Sequence, residues 1–126
     1  MSLNSRVTIH SQGFTVTPAI REHLHRRFSL ALERFDEQIL HIDVFMKDLN
    51  GTEKRGEDQS VLVKVKLRAQ SDVVTETTTH DLYLSISLAA RRTRRIVGRA
   101  LKRHRRIERV DKQQRSFPAS KLATTS

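Results

Sequence analysis

The residues in this sequence best suited to chemistry are concentrated in one stretch. Between Arg91 and Arg106, nine of sixteen residues are basic (Arg91, Arg92, Arg94, Arg95, Arg99, Lys102, Arg103, Arg105 and Arg106) and none is acidic. Like charge at that density repels itself unless a polyanion neutralises it, which makes nucleic acid the leading partner. Eight of the nine are arginine, whose planar fork of donors matches phosphate oxygens and whose flat face stacks on unpaired bases, so folded RNA is favoured. If the stretch neutralises about 6–10 phosphates, affinity should fall roughly 10³–10⁵-fold between about 50 and 200 mM salt, on the scale set by duplex DNA. A solvated helix face is the usual fate of a charge run, but it explains poorly why no acid interrupts this one.

The charge is also unevenly divided along the 126-residue chain, whose formal net charge is +10. Residues 1–80 carry 11 Lys/Arg against 11 Asp/Glu, whereas residues 81–126 carry 13 against 3, so the whole excess is C-terminal. Other candidate side chains are weaker. Arg21, His25 and Arg26 lie among Glu22 and Glu33, and ordinary surface composition accounts for them as well as a binding role does. Tyr83 could stack on a base, but its place near the start of an amphipathic segment favours packing. Leu84 and Leu88 project among the basic residues, which means either deeper packing of that segment, the favoured reading, or a protein contact. Of the six histidines, His23 and His25 point to different helix faces and His80 has no ligand at metal-binding spacing, so no metal is expected. No nucleophile elbow, phosphate-cradling glycine loop or carboxylate pair is present, so neither catalysis nor a cofactor is expected.

The elements that must position these residues follow from periodicity. Val7, Ile9, Phe14 and Val16 suggest a strand interrupted near Gly13. Thr17-Pro18 reads as an N-cap followed by proline at the first helical position, where a missing N–H costs nothing. Ile20, Leu24, Phe28, Ala31 and Phe35 then form one apolar stripe on a helix running to about Arg34. From Ile39 to Lys47, Leu40, Ile42, Val44 and Met46 alternate with polar or outward positions, and Val61, Val63, Val65 and Leu67 do the same, which gives two half-buried strands. The polar segment from Asp48 to Gln59 between them predicts an exposed hairpin loop. Ser71-Asp72 turns the chain into a β-branched strand over 73–79.

Asp81 is a candidate N-cap for the last helix. With residues ~100° apart, Leu82, Ile86, Ala89, Ala90, Thr93, Val97, Ala100 and Leu101 fall within about 60° of one direction. Arg91, Arg95, Arg99, Lys102 and Arg106 fall opposite, with Arg92 and Arg103 beside them, as a ridge about 20 Å long. The polar residues from Glu108 to Ser126 read as a flexible tail. The order is β-α-β-β-β-α: an α+β fold of two layers, with a four-stranded sheet and two helices on one face, similar to double-stranded-RNA-binding folds. At this length one core is expected. The absence of cysteine, of a spanning apolar run and of a signal peptide suits a soluble cytoplasmic protein and no membrane partner.

The run Val16-Thr17-Pro18-Ala19-Ile20-Arg21-Glu22 resembles the opening of the first helix in the ribosome hibernation-promoting and ribosome-associated inhibitor proteins. His80-Asp81-Leu82-Tyr83, followed by Ile86 and a basic stretch, resembles the start of their last helix. With the matching element order, the resemblance covers roughly Val7 to Arg106. It implies a translation inhibitor that occupies the mRNA and tRNA channel of the small ribosomal subunit under stress, with subunit and ribosomal RNA as partners and no small-molecule substrate. It also implies RNA contacts from basic positions on both helices, where Arg21, Arg26, Arg27, Arg92, Arg95 and Arg99 stand. Adding the ridge gives a candidate RNA-binding set that also holds Arg91, Lys102, Arg103 and Arg106. The last helix is more arginine-rich than the mixed helix usual in the family. Residues 1–106 are expected to form the ribosome-binding domain and 107–126 a tail too short for the dimerisation domain of longer members. Two other readings stay open: a stand-alone binder of structured RNA, for instance in ribosome assembly, and a protein-interaction regulator whose basic helix docks on an acidic surface.

Overall fold

A computed structural model of the chain describes residues 3–48 and 59–115, with side chains through Val110. The expected hairpin loop falls largely on 49–58, outside the described residues. After a short 3₁₀ turn at Leu3–Arg6, β1 spans Val7–Gln12. It stops at Gly13, whose φ of +93° is ready for glycine alone and whose added Cβ would meet Asp48 Cβ at 3.3 Å. Helix α1 covers Pro18–Leu32 and is capped as expected, with Ile20 N–H donating to Thr17 Oγ1 at 3.2 Å. It tightens into a 3₁₀ segment, Glu33–Gln38, before β2 at Ile39–Asp48. Strands β3 (Gln59–Leu67) and β4 (Val73–Thr79) follow, then the long helix α2, Leu82–Arg115.

The sheet order is β1-β2-β3-β4, with β1 parallel to β2 and the other pairs antiparallel. Ile20, Leu24, Phe28 and Leu32 of α1 and Ile86, Ala89, Ala90 and Val97 of α2 are buried with one face of the sheet, supplied by Ile42, Val44, Met46, Val61, Val63, Val65 and Leu67. The α+β, two-layer architecture is therefore the one expected. One strand position differs. Leu40 is not on the core face with Ile42: it is 38% exposed while Ile39 is fully buried, because the pairing register shifts between Ile39 and His41. One irregular residue in a ladder of period two exchanges the faces on either side of it.

The last helix also runs further than periodicity suggests. It continues through Arg115, so the segment 107–115 is helical rather than the flexible tail expected there. Glu108, Lys112, Gln113, Gln114 and Arg115 are good helix formers, and no proline interrupts them before Pro118. At ~1.5 Å per residue its 34 residues span about 50 Å. Its start is capped by Asp81, whose Oδ1 accepts from Tyr83 N–H at 3.1 Å.

Candidate nucleic-acid interface

The 3₁₀ segment after α1 is held in place from two directions. Arg6 forms an ion pair with Asp36 and donates to the Asp36 and Ile39 carbonyls at 3.1 and 2.6 Å, and Arg68 donates to the carbonyls of Glu37 and Gln38 at 3.1 and 2.8 Å. These two arginines are consumed by the fold. Their effect is to present Arg34 and Phe35 to the flank of α2. Between the segment and the helix lies an open groove of about 490 Å³, walled by Arg34 and Phe35 on one side and by Arg91, Arg94, Arg95, Arg99, Lys102 and Arg105 on the other. Gly98 forms part of its floor, and a Cβ there would reach Phe35 Cζ at 3.5 Å, an ordinary contact. The Arg34 guanidinium lies 5.3 Å from the centroid of the Phe35 ring.

The groove continues along the seam between the helices. A smaller depression of about 200 Å³ shares Arg91 and Arg94 with it and adds Arg27 from α1. No lining residue of either is acidic, and among the described residues none of these eight cations forms an ion pair. Unpaired guanidinium groups at a groove present fixed donors to an anion without first breaking a salt bridge.

The candidate residues divide accordingly. Arg27, Arg91, Arg95, Arg99 and Lys102 are brought together. Arg92 sits on the opposite flank, where its Nη1 donates to the Glu76 carbonyl (3.2 Å) and Thr77 Oγ1 (3.3 Å) of β4. Arg103 lies on that flank too, in a separate depression beside the β3–β4 turn. Arg106 is exposed on the helix but lines neither part of the groove, and Arg21 and Arg26 are exposed on α1 away from it. Three groove residues, Arg34, Arg94 and Arg105, were not in the candidate set. Arg94 and Arg105 stand in the acid-free run and were open to discovery there; Arg34 carries no signal in sequence.

Tyr83 packs edge-on against His23, with centroids 4.9 Å apart, and His23 Nε2 bridges to the Tyr83 carbonyl and Ser87 Oγ at 3.2 Å each. Leu84 is 40% exposed and Leu88 half-buried, so the deeper packing expected of them does not hold for Leu84. His25 has a buried Nε2 without a hydrogen-bond partner; burial, and next the charge of Arg21, lower its pKa from the ordinary 6.5. Among the described residues no three His, Cys, Asp or Glu side chains are grouped to hold a metal, and no helix is long and apolar enough to cross a membrane.

The family described as Sigma 54 modulation protein / S30EA ribosomal protein matches residues 7–106. The N-terminal domain of Protein Y from Thermus thermophilus superposes with a TM-score of 0.61 at 22% identity, over 73% of this chain and 93% of that one. A ribosomal subunit interface protein from Coxiella burnetii superposes with a TM-score of 0.60 at 18% identity, over 75% of this chain and 97% of that one. At these identities the two structures establish a shared fold. No curated protein sequence matches the chain significantly.

Proposed function

This chain belongs to the Sigma 54 modulation protein / S30EA ribosomal protein family, and on that premise we propose that it is a ribosome-binding inhibitor of translation acting in the cytoplasm. Its site is the mRNA and tRNA channel of the small subunit, which it occupies under stress. The observation that carries this reading is the acid-free groove joining Arg27, Arg34 and the outer arc of α2, a cationic track shaped for the backbone of folded RNA. The similar fold of the ribosomal subunit interface protein from Coxiella burnetii agrees with it.

The mechanism is occlusion. The folded domain neutralises ribosomal phosphates through the groove and fills space that messenger and transfer RNA would need, so no chemical step is involved. The residues proposed to touch RNA first are Arg27, Arg34, Arg91, Arg94, Arg95, Arg99, Lys102 and Arg105. Arg21, Arg26, Arg92, Arg103 and Arg106 provide peripheral charge that steers encounter more than it fixes register.

Sedimentation of a cell extract from starved cells through a sucrose gradient tests the proposal, with the chain followed by antibody. Co-migration with small subunits or whole ribosomes is expected. A chain found only at the top of the gradient would overturn the ribosomal reading, and equal affinity for free structured RNA and intact subunits would favour the stand-alone RNA binder.

A further inference from the structure

The face of the sheet turned away from the helices is open, and its outward side chains run in rows across the strands. His10, Phe45, Leu62 and Glu76 are successive register partners on β1, β2, β3 and β4. The His10 and Phe45 rings are stacked, with centroids 4.3 Å apart and planes within 10°. Because these two residues are neighbours on adjacent strands, the stack axis runs across the sheet, and its next position lies above Leu62. There the row drops to an aliphatic side chain, and a groove of about 430 Å³ opens between Phe45 and Glu76. Phe45 is 39% exposed beside it. A flat ring placed over Leu62 would extend the stack to three members.

The charges on this face select the kind of ring. Asp43 is engaged by His10 Nε2 at 3.1 Å and His41 Nε2 at 3.5 Å, and Glu76 accepts from Ser60 Oγ at 3.3 Å. Lys47, Lys64 and Lys66, in contrast, are exposed, and none has an ion-pair partner among the described residues. Three lysines against the two carboxylates leave this face cationic by count, which complements a ligand that joins flat rings through phosphates. Gln12, Lys47 and Glu76 border the groove and offer donors and acceptors to a base edge.

We propose that the open sheet face is a second RNA site, in which an unpaired nucleobase stacks on Phe45 above Leu62 while Lys47 and Lys64 hold the flanking phosphates. An aromatic pair on an exposed sheet with lysines beside it supplies what single-stranded RNA requires: sequence-tolerant stacking plus backbone charge. The site is separate from the α2 groove, on the other side of the sheet, so it stands or falls independently of the ribosomal reading.

The test is titration of the full chain with hexaadenylate, followed by NMR of the Phe45 and His10 ring signals, with an abasic oligomer of equal length as control. Hexaadenylate is expected to shift both rings, and the abasic oligomer is not. Phe45→Thr keeps a β-forming residue at an exposed position and should fold; it is expected to weaken hexaadenylate binding about 5–150-fold, the range of one lost stacking contact. Unchanged affinity in that variant, or shifts confined to α2, would overturn the proposal. So would ring shifts that depend on protein concentration without RNA, which would make the face a contact between two copies of the chain. Sedimentation of Phe45→Thr with ribosomes is expected to be retained, which separates failure here from failure of the α2 groove.

Discussion

The two exposed faces of this domain are built on opposite principles. The outer arc of α2 gathers cations with no acid among them, so its field adds up over a length of helix and attracts a polyanion from a distance. The open sheet face mixes signs: Asp43 is held between two histidines and Glu76 is bonded to Ser60, leaving three lysines and a stacked aromatic pair. The first face is suited to tight, salt-sensitive binding of folded RNA, the second to short-range recognition of a flat ring. Net charge alone would not have distinguished them; the arrangement of partners does.

The largest effect expected is on the helix side. Replacing Arg91, Arg95 and Arg99 together by glutamate should weaken small-subunit binding on the order of 10³-fold or more, at ~1.5–3 kcal/mol for each charged hydrogen bond lost. The same reversal at Lys47, Lys64 and Lys66 should cost far less. Filter binding to purified subunits measures both, and equal losses would erase the distinction between the faces.

Arg92 and Arg95 sharpen the comparison within α2 itself. Arg92 is bonded to β4 and Arg95 is not, so Arg92→Ala should lower unfolding free energy by about 0.5–1.5 kcal/mol while Arg95→Ala stays within ~0.5 kcal/mol. Urea denaturation of the two variants is the check. For subunit affinity the ranking should reverse. A smaller gain is expected at Gly98. Its alanine variant makes only ordinary contact with Phe35 and improves helix propensity, so thermal unfolding should show up to ~1 kcal/mol of stabilisation, with a modest loss of binding from the narrowed groove.

The smallest effect concerns His25. Its pKa is lowered in the folded chain, so the unfolded chain takes up the proton first, and stability should be complete above the ordinary histidine pKa near 6.5. It should then decline as pH falls through that value toward the folded pKa, and level off below it. Comparing wild type with His25→Gln in denaturant titrations across this window isolates the contribution. A pH dependence identical in both would exclude His25 as its source.

Much of this was legible in the sequence because helix period and charge density are local properties. Thr17-Pro18 announced a cap, and Ile86, Ala89, Ala90, Thr93 and Val97 traced the buried side of α2 directly. What stayed hidden depends on contacts made across the fold. Arg34 and Phe35 reach the groove because Arg6 and Arg68, about thirty residues away on either side, pin the 3₁₀ segment. Arg92 looked like its neighbours on a helical wheel, and only the position of β4 shows that its guanidinium is engaged. Leu40 was assigned to the wrong face because a bulge breaks the period that identified it. The end of α2 was missed for a different reason: beyond the body of the domain no apolar stripe is needed, and propensity alone carries the helix on to Arg115.

The central claim is that the groove beside α2 places the domain where transfer RNA would bind. It is tested most directly by competition between this chain and initiator transfer RNA for purified small subunits. Mutual exclusion is predicted, with the Arg91, Arg95 and Arg99 glutamate variant losing the ability to compete. Simultaneous binding of both to the same subunit would contradict the account.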